Sequence, residues 1–296
     1  MLAFAGAMVL AIGLTPLARW LAPRVGMMDR PEARKVHRVP VPRVGGVAIF
    51  LAVIAAALVL GDRYNFAQFG SILIGATGIS FLGMLDDRWG VRPLVKLLGQ
   101  VLAALLLHFS GVAIGLFRQP ALNLATTVVW VVGITNALNL LDNMDGLAGG
   151  TAAIAAAYFA LMCSFSGQYL VGALAIAVLG ACIGFLFYNL NPARIFMGDS
   201  GALFLGFLLA AIGIKLRFPD NVTFVTWMVP VLVLGLPIFD TALVSISRLR
   251  RHLNPLTTPG RDHTSHRLVA AGLTPREAVL VLYVVSFVLG LSLIHI

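Results

Sequence analysis

The stretch Thr135-Asn136-Ala137-Leu138-Asn139-Leu140-Leu141-Asp142-Asn143-Met144-Asp145-Gly146-Leu147 decides how the rest of the chain is read. It carries two carboxylates and three carboxamides at the end of an apolar run that begins near Leu122. Ionisable groups beside a membrane span are costly unless they meet water, a counter-charge or a metal. If the run stays helical, Asn136, Asn139 and Asn143 share one face, with Asp142 and Asp145 on the adjoining strip. Hard oxygen donors aimed at one cavity suit magnesium, and magnesium suits phosphates. The alternative is a polar helix end in water.

The apolar fraction is 59% and the charged fraction 11%, against about 25% charged for a soluble domain. Mean hydropathy is +0.95. So much apolar surface excludes a soluble chain of this length and predicts an all-α polytopic integral membrane protein. Ten apolar runs, near 1–22, 44–60, 68–85, 94–110, 122–141, 147–166, 168–188, 201–216, 222–246 and 276–296, are expected to span. They make one domain over 1–296, without internal repeats. The first run lacks a basic start and reads as the first transmembrane helix rather than a signal peptide. Glycines 70, 75, 78 and 83 predict close helix packing in the third run. Pro230 and Pro237 predict a kink or break in the ninth. Cys163 and Cys182 match no metal or redox spacing and read as packing residues. Ser292 and His295 interrupt the last run, and the natural chain is expected to continue past Gly290.

Charge alternates between the loops. Seventeen of the 21 Lys and Arg lie on one side, leaving Arg63, Arg118, Lys215 and Arg217 opposite. The positive-inside rule puts the rich side in the cytoplasm and the N-terminus outside. Ten of the twelve acids share that side; only Asp62 and Asp220 lie opposite. Acids contribute little to orientation, so their one-sidedness puts the chemistry on the cytoplasmic face.

Four cytoplasmic segments carry that chemistry. Lys35 to Gly46 sets Arg38 and Arg43 before a Gly-Gly pair at a helix start, where backbone N–H groups meet anions; a basic patch on anionic lipid is the alternative. Gly83 to Gly90 holds the adjacent acids Asp86 and Asp87, which call for a cation or raise one another's pKa. Tyr188 to Gly201 ends in Gly198-Asp199-Ser200-Gly201 before an apolar run. Asp199 there is either an N-cap or, with a helix N-terminus, a holder of magnesium diphosphate. Arg248 to Arg267 contains His263 and His266 without a third His or a Cys beside them, which argues against zinc and for a diphosphate; a solvated loop is the alternative.

In this order, PRVGG, DDR, NALNLLDNMDGL, NPARIFMGDSG and the last His loop resemble the polyprenyl-phosphate N-acetylhexosamine-1-phosphate transferases. This is the WecA/TagO and MraY superfamily, of glycosyltransferase family 4 type. The resemblance runs from about Lys35 to His266. It implies attack by undecaprenyl phosphate on the sugar-bearing phosphorus of a UDP-sugar, with UMP leaving. It implies magnesium, with manganese as a substitute, at Asp199 and Asn139. Asp86, Asp87, Asp142, Asp145 and His263 would be catalytic, one of the first two activating the lipid phosphate or holding its cation. Arg38, Arg43, Asn136, Phe196, Arg261, His266 and Arg267 would bind substrate, with Phe196 stacking on uracil.

Thr264 and Ser265 interrupt the family's His-x-His or triple-His pattern, so the individual histidine roles are open. The DDR and PRVGG forms are closer to the GlcNAc-1-phosphate enzymes, which makes UDP-GlcNAc the expected donor and the phospho-MurNAc-pentapeptide transferases the alternative. Expected partners are the lipid bilayer, the two substrates and a second copy in a homodimer; no nucleic acid is expected. The expected location is the bacterial cytoplasmic membrane. A transporter remains the rival, resting on the broken ninth run and on Asp240, the one acid well inside a span.

Overall fold

A computed structural model describes residues 1–29, 40–60, 66–218, 223–254, 258 and 260–292. Each of the ten apolar runs contains a helix. They are α1 (Leu2–Leu21), α2 (Gly45–Leu60), α3 (Phe66–Trp89), α4 (Pro93–Phe109), α5 (Pro120–Leu141), α6 (Leu147–Phe165), α7 (Tyr169–Asn189), α8 (Gly198–Lys215), the pair α9 (Thr223–Val233) and α10 (Gly235–Arg250), and α12 (Pro275–Leu291). The short α11 (Thr264–Ala270) lies in the last polar loop. Strands β1 (Met28–Asp29) and β2 (Val41–Pro42) pair antiparallel, Met28 opposite Pro42.

Among the described residues, six helices are long and apolar enough to cross a membrane singly, or seven if the bent α9–α10 pair is one span. The chain is therefore a multi-pass membrane protein. The break predicted in the ninth run is present: the two halves meet at 75°. Pro230 lies in α9 and Pro237 in the first turn of α10, where each lacks a backbone donor. Prolines start α4, α5 and α12, where a missing N–H costs nothing. Thr274 and Glu277 add a capping box to α12.

α8 forms the centre. Every residue of it except Lys215 is buried. A helix apolar on all sides needs protein on all sides, and α8 packs among α2, α3, α5, α6, α7 and α9. Small residues set the spacing: a Cβ on Gly206 would lie 2.7 Å from the Thr135 Cα, and one on Gly83 would lie 2.5 Å from the Asp199 carbonyl oxygen. The ends of α3 and α5 are thereby pressed against the start of α8.

Two helix ends differ from the sequence expectation. α3 runs past 85 to Trp89, so Asp86 and Asp87 sit on a helix rather than in a loop. α5 stops at Leu141, and Asp142 turns out of helical geometry at ψ 50°. The Asn143 amide donates to the Leu140 carbonyl at 2.8 Å, the competition with backbone bonding that ends helices. Asn143 therefore does not share a helix face with Asn136 and Asn139. Gly146, at φ 78°, completes the turn into α6.

Candidate active site

The carboxylate of Asp87 caps α8 from another helix. It accepts from the Asp199 N–H at 2.9 Å and the Ser200 N–H at 3.0 Å, and its side chain is fully buried. Gly198 admits it: its φ is +73°, and a Cβ there would meet an Asp87 oxygen at 2.6 Å. The anion expected at this helix N-terminus is thus a side chain of the protein, and a diphosphate cannot use those two donors. Asp199 is not the N-cap either. It lies in the first turn, with Met197 as N-cap.

Released from capping, the Asp199 carboxylate meets cations. Arg43 donates to Oδ1 at 2.8 Å and Lys96 to Oδ2 at 3.1 Å. The Asn139 amide reaches Oδ2 at 3.5 Å. Arg43 also pairs with Asp87 at 3.1 Å. Lys96 also holds Asp86 at 2.6 Å, and the other Asp86 oxygen accepts the Val91 N–H. Lys96 bridges the Asp86 and Asp199 carboxylates. Four helices and one strand end thus deliver Arg43, Asp86, Asp87, Lys96, Asn139 and Asp199 to a single cluster.

The PRVGG segment holds Arg43 there through its backbone. Gly45 N–H donates to the Phe196 carbonyl at 3.0 Å and Gly46 N–H to the Met197 carbonyl at 2.8 Å. These donors were expected to meet an anion; they bind the loop before α8 instead, because a Gly-Gly pair allows the two backbones to touch. Phe196 N–H donates in turn to the Pro42 carbonyl.

Asp142 stands beside this cluster. Burial of its carboxyl in protein raises its pKa, the Arg43 cation opposes the rise, and the neighbouring Asp199, Asp87 and Asp145 carboxylates add to it. The result is a group pushed up to about 7, although Asp142 keeps partial exposure. Asp145 faces the NPARIF loop, accepting from the Asn191 amide at 2.9 Å and the Ala193 N–H at 3.0 Å. Asn136 exchanges hydrogen bonds with the buried Gln100 of α4. It ties α4 to α5 rather than pointing at an open site.

The His loop is fixed by Asp240. The His263 Nδ1 lies 2.7 Å from Asp240 Oδ2, and Oδ1 accepts the Thr264 N–H at 2.7 Å and hydroxyl at 2.8 Å. Thus the acid deep in the ninth run, the best support for an ion path, is saturated by the loop and starts α11. Ser265 donates its hydroxyl to the Asn143 side-chain oxygen, joining the His loop to the turn after α5. His266 is half-buried, with its ring centroid 5.8 Å from that of His263 and its Nδ1 without a partner among the described residues. Burial lowers its pKa, with the His263 and Arg261 charges acting the same way. Arg267 bonds the Asp262 carbonyl, and Arg261 is exposed at the loop entrance. Burial would raise the Asp262 pKa, but the Arg251 and Arg248 guanidiniums hold it below the usual range. Arg38 lies outside the described residues.

Lys96 was not singled out from the sequence, and Asp240 was noted there only as support for an ion path. Lys96 is the only Lys, Arg, Asp or Glu in the run 94–110, and Asp240 the only one in 222–246. An intramembrane charge with a named partner was the available signal.

Among the described residues, no three His, Cys, Asp or Glu side chains form a metal cluster. Magnesium takes one or two carboxylates and completes its shell with water and substrate phosphate. The Asp86 and Asp199 carboxylates, with the Asn139 side-chain amide beside Asp199, are groups of that kind, so the residue types fit such an ion.

Residues 69–217 match the glycosyl transferase family 4 model. The chain is 38% identical, over 99% of its length and 83% of the relative's, to a protein of Bacillus subtilis named probable undecaprenyl-phosphate N-acetylglucosaminyl 1-phosphate transferase. It is 32% identical, over 90% of its length and 74% of the relative's, to a decaprenyl-phosphate N-acetylglucosaminephosphotransferase of Mycobacterium tuberculosis. A phospho-N-acetylmuramoyl-pentapeptide-transferase of Bacillus licheniformis is 36% identical over 64% of this chain and 66% of its own. The match covers α3 to α8, the helices whose ends hold the cluster around Asp199, and on both grounds the chain belongs to glycosyl transferase family 4.

Proposed function

We propose that this protein transfers GlcNAc-1-phosphate from UDP-GlcNAc to undecaprenyl phosphate at the cytoplasmic face of the bacterial inner membrane. An oxygen of the lipid phosphate attacks the phosphorus that bears the sugar. The bond from that phosphorus to the bridging oxygen breaks, and UMP leaves with that oxygen and the electron pair. The observation that carries this reading is Asp199 at the head of the buried central helix, flanked by Arg43 and Lys96. Phosphoryl transfer needs alignment and charge neutralisation more than covalent help from the protein.

Asp86 and Asp87 divide the work. Asp87 has spent its oxygens on α8 and Arg43, so it positions Asp199. Asp86 and Lys96 flank the acceptor phosphate. Lys96 supplies positive charge where two anionic substrates must meet. Asp199 and Asn139 would hold magnesium, which when bound would supply divalent charge against the negative charge that develops on the leaving UMP. Asp142 and Asp145 orient the nucleotide sugar, with Phe196 beside the uracil. His263, held in one orientation by Asp240, offers its Nε2 to the diphosphate, and Arg261, His266 and Arg267 line the same side.

Ten spans with the N-terminus outside would put every one of these groups at the cytoplasmic edge. α2 and α4, of 16 and 17 residues, cross by sitting against protein rather than lipid over part of their length. The test is purified protein with radiolabelled UDP-GlcNAc, undecaprenyl phosphate and magnesium. Labelled lipid diphosphate with stoichiometric UMP is the expected result. Transfer from UDP-MurNAc-pentapeptide alone would assign the other sugar, and no UMP from either donor would remove the reading.

A further inference from the structure

The sequence motifs end with the His loop, but the hydrogen bonds that shape the site do not. α12 lies beyond residues 69–217, and one face of it, with Val284, Phe287 and Val288, is exposed. From its other face two side chains reach the loops assigned to the nucleotide sugar. The Tyr283 hydroxyl donates to the Gly146 carbonyl at 2.6 Å, and Arg276 Nε donates to the Asn191 carbonyl at 2.9 Å. We infer that Tyr283 and Arg276 are positioning residues for the nucleotide sugar, holding the turn that carries Asp142 and Asp145 against the NPARIF loop; the inference rests on the transferase reading above.

Three observations support this role. The first is spacing. Positions 276 and 283 share one helix face and lie about 10 Å apart along the axis at 1.5 Å per residue. One helix thereby sets a donor against the turn after α5 and another against the loop before α8. The second is connection. Asp145 already joins the two loops, accepting from the Asn191 amide and the Ala193 N–H, and the buried Asn189 accepts the Gly146 N–H at 3.1 Å. A shift of either loop therefore moves both. Ser265 of α11 bonds Asn143 in the same turn, so the turn is held from α11 at one end and from α12 at the other. The third is fit. A Cβ on Gly150 would stand 2.1 Å from the Tyr283 hydroxyl oxygen, so the ring needs glycine there. Packing alone would be served by a phenylalanine; the hydroxyl adds a bond to the residue next to Asp145.

Tyr283→Phe removes that hydroxyl and leaves the ring in its notch. Tyr158 supplies the control. Its hydroxyl donates to the Phe287 carbonyl at 2.7 Å, an equivalent bond between α6 and α12. It lies about 16 Å along α6 from Leu147 at 1.5 Å per residue, away from both loops. In the full-length protein with magnesium, Tyr283→Phe is expected to raise KM for UDP-GlcNAc, and its Kd by calorimetry, about fivefold, the worth of one hydrogen bond. KM for undecaprenyl phosphate should stay unchanged. Arg276→Ala should act in the same direction, and Arg276→Lys, which keeps a donor, should lie closer to the parent. Tyr158→Phe should change neither constant. Hydrogen exchange at residues 142–147 should quicken about fivefold in Tyr283→Phe and stay unchanged in Tyr158→Phe. Equal effects of the two tyrosine variants on UDP-GlcNAc would make both bonds structural only and overturn the inference. So would unchanged affinity for UDP-GlcNAc in Tyr283→Phe, or a rise shared by the acceptor KM. Exchange needs no turnover, so a failure of the transferase reading would show separately, as quickened exchange at 142–147 in a protein that neither binds UDP-GlcNAc nor releases UMP.

Discussion

The Asp87 carboxylate sits over the first turn of the helix that carries Asp199, taking the Asp199 N–H at 2.9 Å. Two adjacent acids on α3 are therefore not equivalent. Asp87→Ala leaves two buried backbone donors without a partner and removes one of the two carboxylates that Arg43 pairs with. Each such loss costs about 1–3 kcal/mol, so the melting temperature in detergent is expected to fall by several degrees, with turnover falling alongside. Asp87→Asn keeps one accepting oxygen and should recover part of the melting temperature. Lost turnover in Asp87→Ala with an unchanged melting temperature would mean that Asp87 acts on substrate rather than as a cap.

Asp199→Asn tests the metal. The fold is expected to persist, because the cap belongs to Asp87. Turnover should drop about 100-fold or more, roughly 3 kcal/mol of transition-state stabilisation, and the magnesium requirement should weaken. Full activity with an unchanged magnesium optimum would move the ion to Asp86.

Asp142 gives a pH signature. Its pKa in the folded protein is raised to about 7 from an ordinary 3.8, chiefly by burial. The folded state thus favours the neutral carboxyl. That contribution to stability is complete below about pH 4 and is lost as pH rises through 7. If the ionised carboxylate accepts from the nucleotide sugar, kcat/KM for UDP-GlcNAc should rise with an apparent pKa near 7. Asp142→Asn should flatten that limb of the profile. A limb that survives in Asp142→Asn belongs to another group.

Asp240→Asn is expected to reduce turnover about tenfold while leaving KM for UDP-GlcNAc within a factor of three, since it disturbs the orientation of His263 but not the contacting groups. His263→Ala should cut turnover further than His266→Ala. Near-normal rates in all three variants would take the loop out of the mechanism.

Single cysteines at positions 88, 194 and 261 should react with a membrane-impermeant maleimide only in inside-out vesicles, and one at 118 only in intact cells. Reaction at 88 from outside would reverse the proposed orientation.

The helices were legible because apolar runs of this length have few other uses, and the break at Pro230 and Pro237 because proline removes donors at fixed places. The cluster around Asp199 was legible as a set of residues, not as a set of contacts. Nothing in the order Asp86-Asp87 tells which carboxylate turns inward; that depends on the rotation of α3 against α8, set by Gly83 and Gly198. Lys96 escaped notice for the opposite reason, being a lone charge in an apolar run with no motif around it. Asp142 and Asn143 showed a limit of periodicity: the helix that would have aligned three asparagines ends two residues before the third.

The buried helix α8 has a bearing on how the protein is made. Five of the helices it packs among, α2, α3, α5, α6 and α7, leave the ribosome before it, and only α9 follows. The aspartate pair must therefore wait at the membrane edge while residues 88–197 are made, where bare carboxylates are costly. Its counter-charges do not come with α8. Arg43 precedes Asp87 in the chain, and Lys96 follows Asp86 by ten residues. Both acids are provided with a cation before the last partner inserts, so the nascent chain carries its own neutralisation, and α8 on arrival meets a prepared socket instead of two exposed charges.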